Sequence, residues 1–262
     1  MHHYRTGYGP PLLLVHGLGN TPSAWDPIVP VLACHHELII VTLPGHDGKP
    51  VEDDSGTFAG LTRSVADFIA DRQLDAAAVV GSSLGARMVL ELARRDHAGP
   101  VVALDPGGFW RGAERTLFRT TLQASLALLR GLSRTHMLAP LARSAVGRSV
   151  LLAQLSAHPW QLDGTLVASE LEALASTPTA AALIDDLATG PEQRGPGAAG
   201  SGKVTIGWGR HDRLCLARQA RRATAAFPSA RLHWFDHSGH YPMWDEPAAT
   251  ARLILEATGA AA

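Results

Sequence analysis

Short apolar runs alternate along this chain with longer segments in which apolar residues recur at helical spacing. That alternation predicts a parallel sheet covered by helices on both faces. Six runs read as strands: PLLLVHG with its strand at Leu12 to Val15, ELIIVTLPG at Leu38 to Thr42, AAAVVG, VVALDPGG at Val101 to Leu104, KVTIGWG and RLHWFDH. Between them, TPSAWDPIVPVLA offers Thr21 as a helix N-cap and Pro22 at the first helical position. TFAGLTRSVADFIADRQL places Leu61, Val65, Phe68 and Ile69 on one face, and EPAATARLILEATG is a final helix that Gly259 ends. From about Phe109 to Gly190 there is no strand pattern, only helix-like patches such as TLFRTTLQASLALLRGL and LVASELEALAS separated by Gly and Pro. The chain is therefore expected to divide into a core, residues 1–108 and 191–262, and a helical insertion, residues 109–190. The return segment GPEQRGPGAAGSGK reads as a mobile connection, above all from Gly195 to Gly202.

Composition narrows the function classes. The 262 residues suffice for one large α/β unit with a substantial core. Apolar residues make up 46% and charged residues 18%, as in an ordinary globular enzyme, and a formal net charge of −1 supplies no field for nucleic acid or an anionic membrane. The two cysteines, Cys34 and Cys215, read as free thiols rather than a disulfide framework. The stretch MHHYRTGYGPPLLLVHG lacks the charged-then-apolar layout of a signal, and no run approaches membrane-spanning length, so a cytoplasmic location is expected.

Two glycine-rich stretches imitate nucleotide sites. GAAGSGKV, Gly197 to Val204, nearly matches a phosphate-cradling loop, but Val204 replaces the metal-binding hydroxyl and the stretch precedes a strand instead of following one. GLGNTP, Gly17 to Pro22, does follow a strand, yet Pro22 stands where a dinucleotide site needs its third glycine. GSSLG, Gly81 to Gly85, is a stronger signal, because with Ser83 central it fits G-x-S-x-G between a strand and a helix. A nucleophile on so sharp a turn forces strand and helix together, so the positions two away must be nearly free of side chain. For Ser82 those positions would be Val80 and Leu84, which are too large.

A serine hydroxyl needs a base. Of thirteen histidines, His240 falls on the loop after the last strand, at the sheet edge that carries Ser83 and where open α/β sheets bind ligands. His237 shares that loop and is the second choice, while His16, His46 and His211 read as loop-fixing residues. The imidazole in turn needs a carboxylate. Asp212 in GWGRHDRL sits on the loop nearer the His240 strand; Asp105 in ALDPGG is the alternative acid, with a structural role at the base of the insertion otherwise. Asp236 reads as a turn residue. The N–H of Leu84, at a helix start, and the N–H of Leu18, on a turn that Gly17 and Gly19 make slim, are the candidate oxyanion donors.

Taken together, VHGLG, LPGH, GSSLG, GRHD and SGHYPMWDEP resemble, in order and over nearly the whole chain, the α/β-hydrolase fold superfamily, in particular its serine-nucleophile, capped esterase and lipase-like branch. The resemblance implies a mainly parallel sheet, a helical cap made by the insertion, no cofactor and no metal. It also implies a triad of Ser83, Asp212 and His240 with Leu18 and Leu84 as oxyanion donors. Because the segment before LLLVHG is short, the N-terminal hairpin should be truncated, with its first strand missing. Thr42 and Asp47 depart from the family's acidic residue and glycine, and Asp245 stands for a glutamate, where either could serve a helix N-terminus.

The expected reaction is hydrolysis of a carboxylic ester, or a related acyl bond, in a small to medium apolar substrate by way of an acyl-enzyme. Serine at the elbow disfavours the dehalogenase and epoxide-hydrolase branches, which use aspartate. It leaves open thioesters, lactones, carbon–carbon bond hydrolysis and cofactor-free perhydrolysis. A ligand-binding or non-hydrolytic protein on this fold is the competing class, and a complete triad argues against it. The pocket is expected to draw on His16, Gly17, Trp25 and Tyr241 from the core and on Phe109, Trp110, Met137 and Trp160 from the insertion, with Phe118 and Leu183 beside them. A monomer or homodimer acting on a small molecule, with no nucleic-acid partner and no membrane anchor, is expected.

Overall fold

The strands are apolar at nearly every position because both faces of the sheet are covered. The computed structural model describes residues 1–196 and 203–260. Seven strands, β1 (His2–Thr6), β2 (Pro11–Val15), β3 (Glu37–Thr42), β4 (Ala78–Ser82), β5 (Val101–Leu104), β6 (Val204–Gly209) and β7 (Arg231–Phe235), form one sheet in the order β1-β3-β2-β4-β5-β6-β7. All neighbouring pairs are parallel except β1 with β3. Side chains sort by parity: Leu13, Val15, Ile39, Val41 and Val79 enter one core and Leu12, Leu14, Leu38, Ile40 and Val80 the other, as alternation across a pleat requires. The truncated N-terminal hairpin takes the form of the single edge strand β1, whose residues HHYRT contain no apolar run from which to read it.

Helices α1 (Val29–Leu32), α2 (Phe58–Asp71) and α3 (Leu84–Arg94) join the first five strands. The segment expected as one helix after β2 is shorter. Thr21 does cap it, accepting from the Ser23 N–H at 3.1 Å, but only a 3-10 turn follows, Pro22–Trp25, before α1. Pro27 and Pro30 lack the N–H groups that a longer helix would use. In α2 the expected face, Leu61, Val65, Phe68 and Ile69, is buried, and Thr57 caps the start through the Gly60 N–H at 3.0 Å.

Between β5 and β6 the chain runs through α4 (Ala113–Arg134), α5 (Leu138–Arg143), α6 (Ala145–Leu151), α7 (Gly164–Ser176) and α8 (Ala180–Thr189). Helices α9 (Ala220–Ala226), α10 (Pro242–Asp245) and α11 (Pro247–Thr258) follow, and Gly259 ends the last in a left-handed conformation, φ +74°. No helix among the described residues is long and apolar enough to cross a membrane. Cys34 is exposed and Cys215 buried, and both are free thiols. The phosphate-loop lookalike from Gly197 and the expected mobile return up to Gly202 lie almost wholly outside the described residues.

Strand β2 has β3 on one side and β4 on the other, and the connection after β2 runs to β3 while that after β4 runs to β5, in opposite directions. Val15 pairs with Gly81, which brings the turns after β2 and β4 side by side at the carboxyl edge of the sheet. Such a switch point opens a crevice for ligands.

Candidate active site

Ser83 is the one residue between the end of β4 and the start of α3, and it adopts φ +54° and ψ −109°. A non-glycine residue holds that conformation only when its surroundings impose it. Here the Ser83 N–H donates to the Leu104 carbonyl at 2.9 Å, and the Arg87 N–H donates to the Ser83 carbonyl at 3.0 Å. The flanking glycines are required by contact. A Cβ at Gly81 would stand 2.2 Å from the Gly85 carbonyl oxygen, and one at Gly85 would stand 2.2 Å from that of Val15. Ser82 turns the other way, its hydroxyl 3.8 Å from the sulfur of Met243.

The Ser83 hydroxyl donates to His240 Nε2 at 2.8 Å, and His240 Nδ1 donates to Asp212 Oδ2 at 2.8 Å. A carboxylate at Nδ1 makes that nitrogen the donor and leaves Nε2 to accept. Asp212 is itself aimed by its second oxygen, which accepts from the N–H groups of Leu214 at 2.7 Å and Cys215 at 2.8 Å. The loop of His240 is tied down as well, its N–H donating to the Leu155 carbonyl at 2.8 Å. His237 and His211 are exposed, and their backbone N–H groups donate to Glu246 and to the Ser238 carbonyl instead. Asp105 does not meet His240: its Oδ1 accepts from the Gly209 N–H at 2.8 Å and its Oδ2 faces no donor. Burial, and then the neighbouring Asp212 carboxylate, push Asp105 well above the ordinary carboxylate range. In that neutral form it can donate to Asp212.

Leu18 and Leu84 line the same cavity as Ser83. Among the described residues neither backbone N–H donates to another backbone group. The turn that carries Leu18 is braced from two sides. On one, His16 donates from Nδ1 to the Gly17 carbonyl at 2.8 Å and accepts at Nε2 from the Leu43 N–H at 3.1 Å. Burial, followed by the nearby His46, pushes His16 down to about 3, so the ring is neutral. On the other side, Glu170 of α7 accepts from Asn20 Nδ2 at 2.8 Å, the Thr21 N–H at 3.0 Å and the Thr21 hydroxyl. Tyr241, next to His240, donates to Asn20 Oδ1 at 3.1 Å.

The cavity has a volume of about 50 Å³. Trp110, Tyr241 and Phe118 line it; Leu122, Leu155, Leu174 and Leu187 close it from the side of the inserted helices. Several expected walls lie elsewhere. His16 and Gly17 sit beneath the turn, where a Cβ on Gly17 would meet Asn20 Oδ1 at 2.8 Å. Trp25 fills one core, while Phe109, packed on Trp208, and Leu183 fill the other. Met137 and Trp160 are 47% and 51% exposed and stand away from the cavity. Asp245 caps no helix; it accepts from the N–H groups of Gly239 at 2.7 Å and Ala157 at 2.9 Å, binding the His240 loop to the insertion.

Sequence reasoning passed over Arg87 and Glu170, although each is a charged residue on an apolar helix face, beside Leu84 and Met88 in one case and Val167 and Leu171 in the other. The described residues nearest to a metal-ligand set are Asp212, Cys215 and His240, with donor atoms within 4.8 Å of one another. Burial and the neighbouring carboxylates push the Cys215 thiol well up, and Asp212 and His240 are already bonded to each other, so the three make a poor metal site.

A model of the alpha/beta hydrolase family matches residues 12–253, and the chain belongs to that family. It is 24% identical over 272 residues to the 2-hydroxy-6-oxo-6-phenylhexa-2,4-dienoate hydrolase of Burkholderia cepacia, covering 95% of this chain and 88% of that one. It is 27% identical over 264 residues to the pimeloyl-[acyl-carrier protein] methyl ester esterase of Aromatoleum aromaticum, covering 94% and 96%. The enol-lactonase of Burkholderia xenovorans LB400 shares the fold, with a TM-score of 0.75 at 18% identity over 98% of this chain and 95% of that one.

Proposed function

We propose that the protein is a serine hydrolase that cleaves a carboxylic ester, or a related acyl bond, of a small to medium apolar substrate through an acyl-enzyme. The observation that carries this reading is the unbroken chain from Ser83 through His240 to Asp212, two hydrogen bonds of 2.8 Å that open on an apolar cavity. In this reading Ser83 Oγ attacks the carbonyl carbon as its proton passes to His240 Nε2. The N–H groups of Leu18 and Leu84 hold the oxyanion. His240 then protonates the departing alkoxide, and a water that gives its own proton to His240 releases the acid and restores Ser83. Helices α4–α8 act as the cap that excludes bulk water from these steps.

Hydrolysis of a carbon–carbon bond is a second reading, favoured by the likeness to a protein named as a dienoate hydrolase. A fluorophosphonate probe tests what the two share. It should label the protein stoichiometrically and leave Ser83→Ala unlabelled, and that variant should lose about 10³-fold or more in turnover. Near-full ester hydrolysis by Ser83→Ala would sink the assignment. A panel of 4-nitrophenyl esters of increasing chain length, with lactones and a dienone diketone acid alongside, separates the two readings.

A further inference from the structure

Helix α3 buries a cation in the wall of the reaction cavity. Arg87 lies one helical turn beyond Ser83, is 2% exposed, and lines the same cavity as Ser83, Leu18 and Leu84. A guanidinium withdrawn from water is costly unless an anion and hydrogen bonds replace what it has lost. The nearby carboxylates of Asp186 and Glu91 favour the charge of Arg87 from a distance, but neither is hydrogen-bonded to it. Glu91 accepts from Arg94 at 2.6 and 2.7 Å and from Arg95 at 2.9 Å, and Asp186 accepts from the Phe58 N–H at 2.8 Å. The direct contacts of Arg87 are all neutral: the Pro191 carbonyl at 2.7 Å, a long contact of 3.4 Å to Gln193 Oε1, and the ring of Phe58 4.2 Å from its central carbon. Its Nη1 donates to no group among the described residues. Burial lowers Arg87 to about 10, which keeps it charged at neutral pH. The cavity around it is otherwise apolar, with Trp110, Phe118, Leu122 and Leu187 on its walls.

We propose that Arg87 is a specificity-determining residue that receives a carboxylate carried by the substrate, so that the compound opened at Ser83 is an acid-bearing acyl compound such as the half-ester of a dicarboxylic acid. The inference rests on the serine-hydrolase reading and adds the substrate class to it. A planar guanidinium matches a carboxylate better than any neutral group in the cavity could. One helical turn, a rise of about 5.4 Å, separates the backbones of Ser83 and Arg87, which sets the scale for an acyl chain of a few carbons between the scissile carbonyl and the anion.

The test compares kcat/KM for the monomethyl esters of glutaric and adipic acids with methyl valerate and methyl hexanoate, their neutral counterparts of equal chain length, followed by acid release. The wild type should prefer each acid-bearing ester by about tenfold or more, the range of a charge-assisted hydrogen bond. Arg87→Met, which keeps the aliphatic stem, should collapse that ratio to one or below, and Arg87→Lys should retain part of it. Fluorophosphonate labelling reports whether each variant is folded, and Arg87→Gln, which still offers a donor to the Pro191 carbonyl, replaces Arg87→Met if the latter does not fold. Equal rates on acid and neutral esters in the wild type, or a preference that survives loss of the guanidinium, would overturn the assignment of Arg87 while leaving the hydrolase intact. A wild type that neither takes the probe nor opens any ester would instead overturn the reading beneath it.

Discussion

Asp105 and Asp212 bring two carboxyl groups into one buried neighbourhood, and their hydrogen bonds give them different work. Asp212 accepts from His240 and from two backbone N–H groups, whereas Asp105 has a single donor and an oxygen that faces none. Asp212→Asn would set an amide N–H against His240 Nδ1 and favour the wrong tautomer, so kcat should fall by about 10⁴, as in serine proteases that suffer the same change. Asp105→Asn keeps an acceptor for the Gly209 N–H and supplies a donor toward Asp212, so its effect on kcat should stay below about tenfold. Steady-state rates on one activated ester check both, and the reverse ranking would move the acid's role to Asp105. The choice was open to sequence reasoning because strand order decides it. β6 lies between β5 and β7, so the loop after β6 adjoins that of His240 while the loop after β5 stands one strand further off.

Helix α7 joins the inserted helices to the turn that carries the Leu18 N–H, and Glu170 is the joint. Glu170→Ala strands the amide of Asn20 and the N–H and hydroxyl of Thr21, which loosens the proposed oxyanion donor Leu18 without touching Ser83. kcat should then fall about tenfold or more with KM little changed, and Glu170→Gln should recover most of the loss because its amide can rebond all three groups. A lower Tm with kcat unchanged would reduce Glu170 to a purely structural tie. At this scale the legible features were those with a local cause. The inner strands announce themselves by length and apolarity, and the elbow by two glycines that contact forbids to be anything larger. The walls of the cavity were not legible, because an amphipathic helix shows that it has an inner face but not what that face meets. Trp25 and Phe109 accordingly went to the cores, and Met137 and Trp160 to the surface. The edge strand β1 escaped notice for the opposite reason, since its pairing with β3 needs backbone groups and no apolar pattern.

Across the whole molecule the buried titratable groups divide by the sign of their effect on folding. His16, held near 3, and His46, lowered chiefly by burial, stay neutral in the fold while the unfolded chain takes up protons below about pH 6.5. Acidification from that point therefore removes stability, for His16 at about 1.4 kcal/mol per pH unit, with His46 adding in the same direction. Asp105 acts in the other direction. Its folded form keeps a proton that the unfolded chain releases above about pH 4, so its contribution is fully present in acid and is lost as pH rises toward its raised folded value, with the same slope. Below pH 6.5 the histidines outweigh it; above, they have nothing further to add and Asp105 sets the trend, joined toward pH 9 by Cys215, whose thiol is also pushed well up by burial. Thermal unfolding followed from pH 4.5 to 9 should therefore show a maximum in Tm near pH 6.5. Asp105→Asn has no proton to keep, so its advantage over the wild type should widen with each alkaline pH unit and its own maximum should move upward. A wild-type Tm that climbs steadily to pH 8, with the variant running parallel to it, would mean that Asp105 is ionised in the fold and that two carboxylates share the neighbourhood of His240.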